Sequence, residues 1–354
     1  MSKSISIASS IRNYTVNFVD NFSISLNKEL KRGSFFIIDS NVYKLYLEKI
    51  NIDIPTERCV IVDANEKNKS IDKCKEIVQV LVNKQIRRNQ RIVAIGGGVI
   101  QDITAFTASI YLRGIEWSFF PTTLLAQADS CIGGKTSINL GSSKNVIGNF
   151  SPPIKIYLDV GFLNTLSKDD IKSGIGEILH FYFYSNTAIM VEMINSYADL
   201  IENPQRMLKY IKESLLIKKS VIETDEFDKG ERNKFNYGHT FGHAIETATN
   251  YKIKHGLAVT VGMDLANYVS NYLDLIDAEH YKKMNSIIKI NFPIYDWKDF
   301  DIESFFNALL TDKKNDGNNL GCILTEGSGR LLKKFLPINN DLKKLMNNYF
   351  DTLK

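Results

Sequence analysis

The chain is poor in cysteine and has no CxxC pair: Cys59, Cys74, Cys131 and Cys322 are scattered through 354 residues. That spacing excludes a thiolate zinc site and a disulfide framework, and it makes a reducing cytoplasm the expected compartment. No apolar run of about 18 residues occurs, the length a membrane helix needs. Even the stretch 171–189 is interrupted by Glu177 and His180. The polar N-terminus carries no leader pattern. Neither sign of charge dominates, since 44 basic residues face 40 acidic ones for a net +4, and the lysines and arginines are spread along the chain. Nucleic acid and membrane surfaces are therefore not expected partners. Low-complexity tracts, long linkers and internal repeats are also missing.

What is present is enough chain, at 44% hydrophobic content, to bury the cores of two domains. Short runs rich in β-branched and aromatic residues at 34–39, 59–62, 91–95 and 117–121 alternate with amphipathic stretches. That pattern predicts a mainly parallel α/β sheet. After about residue 165 helical periodicity takes over, at 207–224, 240–249 and 258–273, with little strand-like sequence before 320–324. The expectation is a Rossmann-like α/β nucleotide-binding domain at 1–165, a mainly α-helical domain at 166–354, and an active site in the cleft between them.

Of the five histidines, three fall within seventeen residues: His239, His243 and His255. On a helix, His239 and His243 share a face, and His255 can return to it after the 249–251 loop. Glycines at 238, 242 and 256 permit close approach. This is a metal-ligand pattern, although single histidines also pack or cap. Thr240 stands where a zinc-protease helix has glutamate, so peptide hydrolysis is disfavoured and a carboxylate must come from elsewhere. Glu177, three residues before His180 on a predicted helix, is the candidate, with an ordinary surface glutamate as the alternative.

Gly96-Gly97-Gly98 follows the run at 92–95 and opens a helical stretch at 103–110. Such a turn lets backbone amides approach a pyrophosphate, with the helix dipole in favour, and a dinucleotide is the expected occupant. The same device also serves purely structural ends, and Gln101 breaks the GxGxxG pattern. Downstream, Lys135 follows Gly133-Gly134 and Lys144 comes nine residues later. Two such cations suit an anionic substrate. The piece Gly-Gly-Lys-Thr ends like a P-loop, but the preceding glycine spacing is wrong for one.

Together, GGGVIQD at 96–102, PTTLLAQADSCIGGKT at 121–136, SSKNVIGNF at 142–150, the Glu177 helix, FNYGHTFGHAIE at 235–246 and the His255-Gly256 pair resemble the 3-dehydroquinate synthase and wider sugar-phosphate cyclase family. The resemblance runs in order from about residue 35 to about 325. It implies a divalent metal, usually zinc with cobalt as the other choice, on Glu177, His239 and His255, with His243 near the reacting centre. It implies NAD on Asp39, Asn41, Glu66, Lys69, Gly97, Gly98, Asp102, Thr122, Thr123 and the segment from Phe162 to Thr165, with Lys135 and Lys144 adjoining. It implies substrate contacts from Asp129, Lys135, Lys144, Asn145, Lys218, Arg232, Asn236 and Lys313 or Lys314, and a homodimer in which Arg113 reaches a neighbour's substrate.

The implied reaction converts 3-deoxy-arabino-heptulosonate 7-phosphate to 3-dehydroquinate and phosphate. A ring hydroxyl is oxidised by NAD, phosphate is eliminated, the hydride returns, and the ring opens and recloses by an internal aldol step. Three positions depart from the usual pattern: His180 replaces lysine, Leu257 replaces glutamate and Gln101 replaces glycine. Imidazole is shorter than lysine and often neutral, so position 180 bears on substrate identity. A cyclase for another sugar phosphate is the first alternative, followed by a metal-dependent alcohol dehydrogenase and a catalytically silent remnant.

Overall fold

A computed structural model describes residues 3–48, 52, 54–141, 143–185, 187–312 and 314–354. The chain forms two compact units, Met1–Leu166 with Asn203–Phe227, and Ser167–Glu202 with Asp228–Lys354. The expected division left 203–227 in the second half. Its helix, Leu208–Ile222, instead buries Ser214, Leu215 and Lys218, and Ser214 Oγ donates to the Ala128 carbonyl at 2.8 Å. Those contacts tie it to the first unit.

The first unit is built on strands β1 (Ser4–Ile7), β2 (Tyr14–Phe18), β3 (Phe35–Asp39), β4 (Cys59–Val62), β5 (Arg91–Gly96), β6 (Glu116–Pro121), β7 (Ile138–Leu140), β8 (Ser143–Ile147) and β9 (Lys155–Leu158). Seven of them form one sheet in the order β1-β2-β9-β6-β5-β3-β4, parallel except for the β1–β2 pair. Phe35 to Ile38 and Ile92 to Ile95 are wholly buried, as central strands covered on both faces must be. The strand β7 pairs with β8 in a separate ribbon.

In the second unit, helix His255–Tyr272 is buried nearly all round, from Gly256 to Ser270, which marks it as the central element. Helices Lys168–Ser185, His239–Ala248 and Ala278–Ile288 pack on it. Asp264 on this helix accepts from Asn285 and from Tyr349 of helix Asn340–Asp351, each at 2.9 Å. The strand-like sequence at 320–324 lies in β10 (Asn319–Thr325), which pairs antiparallel with β11 (Leu331–Pro337). Among the described residues no helix is long and apolar enough to cross a membrane.

Candidate active site

Glu177 lies midway along helix Lys168–Ser185, while His239 and His255 each open a helix. Two glycines set how closely these elements meet. A Cβ on Gly176 would fall 2.0 Å from the Gly256 carbonyl oxygen, and one on Gly256 would fall 1.8 Å from that of Ser173. A larger residue at either position would push the helices apart. The close approach brings Glu177 Oε1 to 3.1 Å from His255 Nε2, and Oε2 to 3.7 Å from His239 Nε2 and 3.4 Å from His180 Nδ1.

The Glu177 side chain is 1% exposed, and neither oxygen has a donor in hydrogen-bonding geometry. A buried carboxylate left that way is costly. A cation shared with the two Nε2 atoms removes the cost, and the three ligand atoms lie within 4.8 Å of one another. Burial by itself would raise the Glu177 carboxyl, but His239 and His255 outweigh it and hold the group well below the usual range. Burial would lower His255, yet Glu246 and Glu177 raise it well above the ordinary imidazole value. His243 is held well below that value by burial and by the neighbouring His255 and His239. The residues fit a divalent metal of the zinc type.

Of the other residues expected in this unit, His180 and His243 adjoin that cluster. His180 is 2% exposed and packs its ring on Phe181 at 4.0 Å, so a buried imidazole facing the carboxylate stands where the resemblance implies lysine. The ring of His243 is 5.6 Å from His239 and 5.5 Å from His255, beside the Glu177 set. Asn236 donates to the Asn233 carbonyl at 2.9 Å and lines a small cavity with Thr240, Lys314 and Cys322. Arg232 is buried at 4%. Lys313 falls outside the described residues.

In the first unit, Asp39, Gly96 and Pro121 end three adjacent parallel strands, the edge where ligands of open α/β sheets bind. Gly97 caps helix Gly98–Ile110, and a Cβ there would meet Thr123 Cγ2 at 2.9 Å, so the turn has to be bare. Thr122 N–H donates to the Gly96 carbonyl at 2.9 Å, and Asn41 N–H to Asp39 Oδ1 at 2.9 Å. This cradle fits a dinucleotide phosphate. Phe162 is 1% exposed; its ring packs on Phe22 at 4.6 Å, and the Tyr46 hydroxyl meets both its carbonyl and Thr165 Oγ1. Phe162 can offer a cofactor only its backbone, whereas Asn164 and Thr165 are exposed.

Lys69 Nζ lies 3.2 Å from Asp102 Oδ2 and 2.7 Å from Asn145 Oδ1. Asn139 closes this network, donating to Glu66 Oε1 at 2.8 Å and accepting from Asn145 N–H at 2.9 Å. Burial raises the Asp102 carboxyl to about 6, with Lys69 pulling the other way. Lys218 Nζ meets the Asp129 carbonyl at 2.7 Å and Oδ1 at 2.9 Å. Lys135, Lys144 and Arg113 are exposed. Arg113 follows Leu112, and both have left-handed backbone, φ 63° and 50°.

Glu246, Asn139 and the contacts of Gln101 adjoin the expected site residues and were not singled out in the sequence. Glu246 was within reach, because its spacing from His239 and His243 continues one helical face. Asn139 carried no local signal, since Glu66 and Asn145 come from separate segments. Gln101 Nε2 donates to the Ser130 carbonyl at 2.6 Å and accepts Ser130 Oγ–H at 2.7 Å on Oε1, which joins the glycine turn's helix to the residue after Asp129.

Comparison with known proteins places both halves. Residues 59–173 match the model of the 3-dehydroquinate synthase N-terminal domain and residues 174–315 that of the C-terminal domain. The 3-dehydroquinate synthase of Francisella tularensis subsp. tularensis is 38% identical over 92% of this chain and 96% of its own. That of Helicobacter pylori strain P12 is 36% identical over 90% and 92%. Among solved structures, a 2-deoxy-scyllo-inosose synthase in complex with carbaglucose-6-phosphate, NAD+ and Co2+ superposes with a TM-score of 0.83 at 25% identity, covering 98% of this chain and 99% of that one.

Proposed function

The chain belongs to the 3-dehydroquinate synthase family, and from that premise we propose that it converts 3-deoxy-arabino-heptulosonate 7-phosphate to 3-dehydroquinate and phosphate. The observation that carries the reading is the buried Glu177 carboxylate faced by His239 and His255 Nε2, a donor set suited to zinc or cobalt. When bound there, the metal supplies Lewis-acid polarisation of the substrate oxygen at the carbon to be oxidised. NAD would be held at Asp39, the Gly97-Gly98 turn, Thr122 and Thr123, and would supply a reversible hydride acceptor.

The chain's own groups bind and orient. Lys135, Lys144, Asn145, Arg232, Asn236 and Lys314 are assigned to the substrate's phosphate and carboxylate. Asp129 fixes Lys218 through its carbonyl and Oδ1, so that the ammonium faces the substrate without rotamer freedom to lose. His243, held neutral, is a proton acceptor next to the metal ligands. Arg113, on its left-handed turn, is assigned to the substrate of a second copy in a homodimer, and the cytoplasm is the assigned compartment.

Zinc-loaded protein with NAD and the heptulosonate phosphate should release one phosphate per substrate, with no lasting absorbance from NADH. Net NADH without phosphate would instead mark a dehydrogenase. Phosphate released from another sugar phosphate alone would favour the second reading, to which His180, buried in place of lysine, gives support.

A further inference from the structure

We propose that Glu246 is the positioning residue that fixes His255 as a metal ligand; the inference rests on the metal reading above and goes beyond its ligand set. On helix His239–Ala248, Glu246 lies two turns after His239, on the same face. Its Oε2 is 2.9 Å from His255 Nδ1, while His255 Nε2 looks the other way, 3.1 Å from Glu177 Oε1. A neutral imidazole carries one proton, and a carboxylate can only accept. As a metal ligand, His255 would therefore keep that proton on Nδ1 against Glu246 and present the Nε2 lone pair to a cation shared with Glu177.

His239 is oriented in the same sense by a weaker acceptor, the Tyr237 carbonyl at 3.3 Å from Nδ1. The two histidine ligands thus differ in kind: one leans on a peptide oxygen, the other on a charge. A carboxylate behind a histidine raises its basicity and fixes its ring, and losing such a partner typically costs about 10- to 100-fold in metal affinity. Leu257, two residues after His255 and buried at 4%, offers no acceptor.

The experiment is competition for zinc between a chromophoric chelator and the full-length protein, for the parent, Glu246→Ala and Glu246→Gln. It is run together with the visible spectrum of the cobalt-loaded forms and thermal unfolding of the metal-free forms. Glu246→Ala should weaken zinc binding about 10- to 100-fold and change the cobalt spectrum, and Glu246→Gln, which keeps an acceptor without the charge, should fall between it and the parent. The metal-free forms should unfold together. Zinc affinities of both variants within twofold of the parent would overturn the proposal. So would two tight zinc equivalents in the parent, because a second cation among His243, Glu246 and His255 would occupy Nδ1. A parent whose zinc affinity depends on Glu246 but that releases no phosphate from the heptulosonate would sink the synthase reading and leave this one standing.

Discussion

In the first unit Lys69 meets Asp102 and Asn145, and Lys218 meets Asp129, so each buried cation has its counter-charge or acceptor within the protein. In the second unit the buried carboxylate of Glu177 is faced by imidazole nitrogens at 3.1, 3.4 and 3.7 Å, without a hydrogen bond of proper geometry. One set is complete before a ligand arrives. The other is a donor set that a cation would satisfy, and ligand and fold would be coupled there as in other metal sites. The two sets differ in what would hold them rigid: ion pairs within the protein fix Lys69 and Lys218, while a cation bound at Glu177 would add to the packing that holds the helical side.

The largest effect should come from Glu177→Gln, which leaves the size of the side chain and removes the charge. Tight zinc should be lost and phosphate release should fall about a thousandfold or more, equivalent to about 4 kcal/mol of transition-state stabilisation. Asp129→Asn in the other unit should keep zinc affinity unchanged. Chelator competition on the two variants checks the contrast, and equal loss of zinc from both would break it.

Metal removal sharpens the same comparison within one molecule. At zinc about a thousandfold above its dissociation constant, chelation should cost about 4 kcal/mol. Amide hydrogen exchange should register that loss along helices Lys168–Ser185, His239–Ala248 and His255–Tyr272. Strands β3 and β5 should keep their protection. A uniform loss across both units would mean that they unfold as one and that the metal's effect is not local.

Much of this was legible in the sequence where the signal was local. The runs at 34–39, 59–62 and 117–121 lie in β3, β4 and β6, and the helical periods at 240–249 and 258–273 lie in the helices that carry His239 and His255. Strands β1, β2 and β9 were not, because SISI, YTVNF and KIYL mix apolar with polar residues, and β2 finds its partner β9 only far along the chain. The helix Leu208–Ile222 reads from its own periodicity, but its unit does not: that depends on Ser214 meeting the Ala128 carbonyl and on Lys218 meeting Asp129. At the metal cluster the ligand types were visible, whereas the approach that unites them depends on Gly176 and Gly256 being bare.

Asp102 offers a smaller effect with a definite sign. Burial raises its carboxyl from 3.8 to about 6, against the pull of Lys69. Between about pH 4 and pH 6 the unfolded chain has released a proton that the native state still holds, so this group's contribution to stability falls as pH rises through that window. The difference amounts to at most about 3 kcal/mol. Urea unfolding at pH 4.5 and pH 6.5 should show the parent losing ground to Asp102→Asn at the higher pH. Parallel changes in the two proteins would mean that Lys69 compensates the carboxylate fully in the native state.

The smallest effect belongs to Gln101, and it probes whether the completed side of the molecule depends on one latch. Its amide accepts from and donates to Ser130, and Ser130 follows Asp129, whose carbonyl and carboxylate both hold Lys218. Gln101→Ala would leave the Ser130 carbonyl and hydroxyl without that partner, at a cost of about 1–2 kcal/mol. Because the turn Ala126–Ser130 would then be free to shift, kcat should fall by up to about tenfold, with zinc affinity unchanged. A loss of stability with unchanged kcat would show that Lys218 and the helix Leu208–Ile222 fix Asp129 by themselves. A drop in kcat that high substrate concentration does not restore would place the latch in the alignment of Asp129 and Lys218 with the reacting carbon.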